Sequence, residues 1–241
     1  AIHLQRTYRN RGALADLAMA LRDGGMPAFR EQLACLPAQA NVRVVRAGLQ
    51  RLPPLVREHW QQRQQRLRAV IADLDRIDDA GLQTAAVPLM QRLERELLLC
   101  PRRRGPWSLE DVHRRLLGSA AVDDPLAWPE ATPVICGGNQ PDLGLSNGDL
   151  GVKIGRGDSA RMLFRVLDAD GSARLRRLHP ARITTLEPAL ALTIHRAQGS
   201  EADAVMLLWP LEEAGEFERS LLYTAMTRAR ASLEIITAGS A

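Results

Sequence analysis

"LTIHRAQGSEAD" (residues 192–203) crowds a histidine, an arginine, a glutamine and acidic residues between two apolar runs, "EPALALT" and "AVMLLWP". Short apolar runs bounded by turn signals read as buried strands. The flanking pattern continues as a strand over 186–193, a short helix over 194–199, a strand over 204–209, a helix over 217–227 and a strand over 232–237. Strands alternating with helices predict βαβ units and a parallel sheet, in which ligands sit at the carboxyl ends of the strands. The polar cluster therefore either closes a turn or holds a ligand.

Upstream the texture changes. From about 133 to 183 short strands predominate ("PVIC", "LGVKI", "ARMLFRVLD", "ARLRRL"), with "DADG" (168–171) as a hairpin turn. This run predicts a small β-barrel inserted in an α/β host. Earlier still, a helix over 10–22 stops at Asp23-Gly24-Gly25, and a second runs to about Cys35. "VRVV" (42–45) reads as a strand. The spacing of Leu67, Val70, Ile71, Leu74 and Ile77 predicts a long helix over 54–79, with another over 80–94. "ELLLC" (96–100) reads as a buried strand, "PRRRGPW" (101–107) as a basic loop before a helix, and 125–133 as a proline-rich connector.

The 241 residues carry 46% hydrophobic and 25% charged side chains, the balance of a globular protein. No apolar run approaches the roughly 20 residues needed to cross a membrane, and no signal-peptide pattern opens the chain, so a cytoplasmic setting is expected. Cys35, Cys100 and Cys136 lie far apart without a CxxC, which predicts neither a zinc site nor a disulfide framework. No metal ligands are predicted; scattered acids offer no set for two-metal nuclease chemistry. The net charge is +4, and arginine supplies nearly all the positive charge. Guanidinium forks suit phosphate, so a nucleotide or nucleic acid is the expected partner class.

Three segments carry chemistry together: "LQRTYRN" (4–10), "TIHRAQGSEAD" (193–203) and "LLYTAMTRAR" (221–230). In that order they resemble three motifs of the second RecA-like domain of superfamily 1 helicases of the UvrD/RecD type. Leu4, Tyr8 and Arg9 match the first; Thr193, His195, Gln198, Gly199 and Glu201 the second; Tyr223, Ala225, Thr227, Arg228 and Ala229 the third. "LLCPRRRGPWSLEDVHRRL" and "NQPDLGLSNGDLGV" are similar to segments of the RecD family, the alpha subunits of the RecBCD exodeoxyribonuclease V complex. The resemblance spans nearly the whole chain and is weakest over about 36–92.

That resemblance implies an α/β, RecA-like (P-loop NTPase-type) second motor domain with a parallel sheet, plus an inserted small SH3-like β-barrel. It divides the chain into 1–132, an insert over 133–185 (barrel about 147–183) and 186–241. It implies an ATP-dependent 5′-to-3′ DNA helicase subunit acting in double-strand-break repair and recombination, with ATP and Mg²⁺ as cofactors. The partners implied are single-stranded DNA and RecB- and RecC-like subunits. Arg228 would be the arginine finger and Arg9 a second γ-phosphate ligand. Glu201, Gly199 and Gln198 would serve the nucleotide, Glu201 by accepting from a ribose hydroxyl. Thr193, His195, Asn139 and Asn147 would touch DNA.

Simpler readings stand beside these. Arg228, near a helix C-terminus, is favoured there by the helix dipole alone. His195 alone reads as a hydrogen-bonded structural histidine, and "NGD" (147–149) is first of all a turn. No G-x-x-x-x-G-K-[ST] occurs, so no P-loop cradles phosphates within the sequence. The expectation is half of an ATP site, on a piece of a longer protein that is inactive alone. The rival readings are a RecD-like helicase working outside RecBCD, stand-alone or of the conjugative relaxase type, and a non-motor nucleic-acid-binding module.

Overall fold

The computed structural model describes residues 12–74, 77–167, 172–210 and 216–239. Arg9, with Leu4 and Tyr8, and the "DADG" turn at 168–171 lie outside the described residues. By contact the chain divides into two compact units, one of residues 1–51, 94–109 and 192–241, the other of 52–93 and 110–191.

The first unit is built on a five-stranded sheet. Its strands are β1 (Val42–Ala47), β2 (Glu96–Cys100), β8 (Leu192–Thr193), β9 (Ala202–Trp209) and β10 (Ala229–Ala238), in the order β1-β10-β9-β2-β8. Every pairing is parallel. Parallel strands are covered on both faces, hence the unbroken apolar runs in β2 and β9. Two helices of this unit contact each other, α1 (Ala13–Ala34) and α6 (Glu216–Met226). Leu14, Leu17, Ala18 and Leu21 of α1 and Ala225 and Met226 of α6 are fully buried. α1 is two helices joined at a kink, because Gly25 takes φ 69° and Pro27 begins the second half. The two-helix reading of "DGG" matches this break.

The second unit holds a five-stranded antiparallel sheet: β3 (Pro133–Cys136), β4 (Leu150–Ile154), β5 (Arg161–Leu167), β6 (Ala173–Leu178) and β7 (Leu186–Pro188), in the order β6-β5-β4-β3-β7. Its strand alternation covers both faces with apolar groups. On one, Val152, Ile154, Leu163 and Leu175 pack against Leu67, Ile71 and Leu74 of α2 (Pro54–Leu74), Leu82 of α3 (Asp79–Ala85) and Leu89 of α4 (Val87–Arg95). On the other, Val134, Met162, Phe164 and Val166 pack against Trp128, Leu143 and Ile183. The remaining helix, α5 (Leu109–Leu117), follows the basic loop.

Three details differ from the sequence reading. The helix expected over 80–94 is two, α3 and α4, divided at Ala86. The strand expected over 186–193 is two, β7 in the antiparallel sheet and β8 in the parallel one, so a single apolar run serves both units. The long helix α2, placed by its sequence position in the first α/β segment, packs instead with the antiparallel sheet.

Candidate functional site

The polar cluster begins where β8 ends. Thr193 pairs with Cys100 of β2, and the Ile194 N–H donates to the Cys100 carbonyl at 3.0 Å. The Arg196 N–H donates to Thr193 Oγ1 at 3.2 Å and the Ala197 N–H to the Thr193 carbonyl at 3.0 Å, so Thr193 acts as a cap. The helix expected over 194–199 is only a run of turns. Gly199, at φ 87°, ends it before a second turn can form. The glycine is required by this backbone angle and not by crowding, since a Cβ there would meet nothing within 4 Å. Ile194 and Ala197 are buried and anchor the turn, while His195, Gln198 and Gly199 are exposed.

Arg228 meets this turn from the far end of α6. Its Nε donates to the Thr224 carbonyl at 3.1 Å, Nη1 to the Ser200 carbonyl at 3.1 Å and Nη2 to Thr227 Oγ1 at 3.2 Å. The Ala202 N–H donates to the Arg228 carbonyl at 2.9 Å, tying the start of β9 to the start of β10. The guanidinium is thus oriented by neutral oxygens, and those bonds use one N–H on each terminal nitrogen. Half-buried and held at three points, it can still offer its charge to an anion. Glu201, with its side chain 18% exposed, accepts from both Arg230 Nε and Nη2 at 2.8 Å. His195 faces Phe217 of α6, ring centroids 6.4 Å apart, and Phe217 is 65% exposed.

Thr193, His195, Gln198, Gly199, Glu201 and Arg228 are therefore gathered in the first unit around one turn. Asn139 and Asn147 belong to the second unit, where the Asn147 N–H donates to Asn139 Oδ1 at 2.8 Å across a turn. That turn is closed by the Gly148 N–H to the Cys136 carbonyl at 2.8 Å and the Ser146 N–H to Asp149 Oδ2 at 2.7 Å. Both asparagines are exposed. Among the described residues, no three of His, Cys, Asp and Glu converge as metal ligands.

Two neighbours went unremarked in the sequence. Arg230 had a signal, the spacing of the two arginines in "TRAR", which on a strand puts them on one face. Phe217 had none, because only the folded turn brings it to His195.

Residues 188–236 match the UvrD-like helicase C-terminal domain family. The chain is 30% identical over 240 residues to the RecBCD enzyme subunit RecD of Mycolicibacterium smegmatis, a match covering 98% of this chain and 39% of that protein. Similarity to RecD subunits thus runs over nearly the whole chain and includes a UvrD-like helicase C-terminal domain. RecD of Mycobacterium tuberculosis strain H37Rv is 31% identical over 71% of this chain and 30% of its own length. An ATP-dependent RecD2 DNA helicase of Deinococcus radiodurans is 32% identical over 60% of this chain and 20% of its own length. The chain thus spans well under half the length of the curated relatives it matches. The fold is shared with a Pif1 helicase from Bacteroides solved in complex with ADP-AlF3 and ssDNA, at TM-score 0.51 and 15% identity over 98% of this chain and 51% of that one. Among the described residues, no helix is long and apolar enough to cross a membrane.

Proposed function

We propose that this chain is the second RecA-like motor domain of an ATP-driven, 5′-to-3′ DNA helicase subunit of the RecBCD type. The observation that carries this reading is the convergence of Arg228 on the 193–201 turn, through the Arg228 Nη1 to Ser200 carbonyl bond beside Glu201. A phosphoryl group being transferred develops charge on its outer oxygens, and an arginine placed there is worth about 10³–10⁵ in rate. Arg228 is pre-oriented for that task, with Arg9 as a second contact. Glu201 would accept from the ribose hydroxyl while Arg230 holds it in place, and Gln198 and Gly199 would border the nucleotide. ATP and Mg²⁺ would be held mainly by a P-loop domain outside these residues, as the sequence contains no such loop. Hydrolysis supplies the stroke; this chain's own part is to close on the nucleotide and pass the change to a DNA grip.

That grip would use Thr193 and His195, with Phe217 offering a face on which a base can stack. Asn139 and Asn147 would touch DNA from an SH3-like insert at 133–185, between motor segments 1–132 and 186–241, with α2 lying in the first segment by sequence but packing on the antiparallel sheet. Double-strand-break repair and recombination in the cytoplasm, alongside RecB- and RecC-like subunits, follow from this reading. A second reading is a helicase acting outside such a complex, supported by a relative whose name, ATP-dependent RecD2 DNA helicase, mentions no complex. Co-purification of the full-length protein with RecB- and RecC-like chains separates the two. The motor reading itself is tested by Arg228→Ala in the full-length protein: nucleotide binding persists and DNA-stimulated ATPase disappears. Wild-type turnover in that variant overturns the assignment.

A further inference from the structure

The margin of the first unit formed by α1 and β1 carries a feature that the motor reading leaves unused. β1 is an edge strand and, among the described residues, pairs only with β10. The Asn41 carbonyl accepts from the Leu233 N–H at 2.9 Å and the Ala47 carbonyl from the Gly239 N–H at 3.2 Å. Strand backbone groups alternate sides, so Val42, Val44 and Arg46 turn their N–H and C=O groups to the open edge. Beside that edge lies a groove of about 640 Å³. It is lined by Met26, Phe29 and Leu33 from the second half of α1, by Val44 of β1, and by Trp209 and Leu222. Val44 is 36% exposed although apolar. Arg30 and Arg46 also line the groove, and no acidic residue does so among those described.

We propose that this margin is a strand-addition site for an extended segment of a partner polypeptide whose groove-facing side chains, at every second residue, are apolar and acidic in turn. N–H and C=O groups at every second residue, which no described residue pairs, template an extended peptide, which a nucleic acid backbone cannot match. Side chains at alternate positions then reach the groove, apolar ones against Phe29 and Leu33, acidic ones toward Arg30 and Arg46. A second copy of this chain is the poorer occupant, since Arg43 and Arg46 would place like charges across a β1–β1 pairing. The site goes beyond the motor reading and stands on different residues.

The test titrates a fluorescein-labelled peptide, acetyl-Thr-Asp-Thr-Val-Thr-Glu-Thr-Leu-Thr, with the 241-residue chain and follows polarisation. Saturable binding is expected, weakened about tenfold or more when lysine replaces each acid in the peptide, and likewise by Arg46→Glu or Arg30→Glu. Val44→Pro removes an outward N–H without touching the bonds to β10, and is expected to abolish binding. Circular dichroism identifies variants that have lost the fold, and the two charge reversals carry the test should the proline variant be among them. Absence of saturable binding, equal binding of acidic and basic peptides, or unchanged binding by Arg46→Glu and Arg30→Glu overturns the proposal. So does concentration-dependent dimerisation abolished by Val44→Pro without peptide binding, which assigns the edge to a second copy, or competition by oligothymidylate to completion, which assigns the groove to nucleic acid.

Discussion

Two cations, one in each unit, are held by backbone carbonyls and yet do opposite things. Arg228 closes the turn at 193–201 in the parallel unit and stays half-exposed. Lys153, on β4 of the antiparallel unit, is 1% exposed; its Nζ donates at 2.6 Å to the carbonyls of both Leu126 and Trp128. It is the only lysine in the sequence. A compact ammonium fits such a cleft, whereas a guanidinium brings more donors than two carbonyls can satisfy. Burial pushes the Lys153 amine below its ordinary value, with Asp124 and Glu130 opposing the shift. The difference in exposure assigns the tasks: an oriented cation that solvent reaches can meet a ligand, while a sealed one fastens the proline-rich connector, at Leu126 and Trp128, to the sheet.

Removing each cation should therefore break a different property. Arg228→Ala in the full-length protein is expected to lower DNA-stimulated ATPase about 10³-fold or more, while the thermal midpoint of unfolding moves little. Equal losses of activity and stability would erase the distinction. Lys153→Met should do the reverse, costing about 1–3 kcal/mol by leaving two buried carbonyls without donors, with turnover of the folded protein unchanged. Its pH dependence has a fixed sign. The unfolded chain keeps the Lys153 proton up to the ordinary value of 10.5, whereas the folded chain releases it earlier. Between those points the unfolded state binds more protons, so stability rises with pH. Denaturant melts should show the wild-type advantage over Lys153→Met growing as pH approaches 10.5 from below.

How far these roles could be read from sequence follows the same divide. The parallel unit was legible because strands buried on both faces, such as "ELLLC" and "AVMLLW", leave continuous apolar runs. The gathering of Thr193, Glu201 and Arg228 was legible only as spacing between motifs; the carbonyl of Ser200 that joins them carries no side-chain signal. In the antiparallel unit, the periodicity of α2 revealed a buried face but not its partner, since an amphipathic stripe does not name the surface it covers. Lys153 sits in "LGVKI", where strand alternation carries no sign that an ammonium is buried. The connector that covers it is recognisable by its prolines but not by the carbonyls it turns inward.

A smaller effect sharpens the turn itself. At φ 87° with open space around it, Gly199 resists substitution through backbone angle alone. Gly199→Ala is thus expected to cost about 1–2 kcal/mol of local conformational energy, with no steric penalty added. Asparagine, which tolerates the left-handed region, should recover much of that loss. Comparison of the three residues by denaturant unfolding checks this; equal losses for alanine and asparagine would mean that contact, not angle, constrains the site.

The smallest expected effect asks whether the parallel unit also seals a charge. Glu234 lies on β10 between β1 and β9, its side chain 21% exposed, with Arg43 Nη1 at 3.6 Å. Burial raises its carboxyl above the ordinary 4.5, and Arg43 pulls the other way. Arg43 is itself 72% exposed, so solvent screens the pair and its contribution is small. A folded-state value above the unfolded one means that the folded protein holds the extra proton. The protonated carboxyl thus favours folding most below about pH 4.5, and that contribution falls as pH rises through the folded value. Glutamine mimics the protonated form at every pH. Glu234→Gln should therefore be more stable than wild type near neutrality, by less than about 1 kcal/mol, and the gap should close below pH 4.5. Paired denaturant melts across that range read the difference directly. A less stable glutamine variant at neutral pH would mean that the Arg43 pair outweighs burial, making this third charged group a fastener like Lys153.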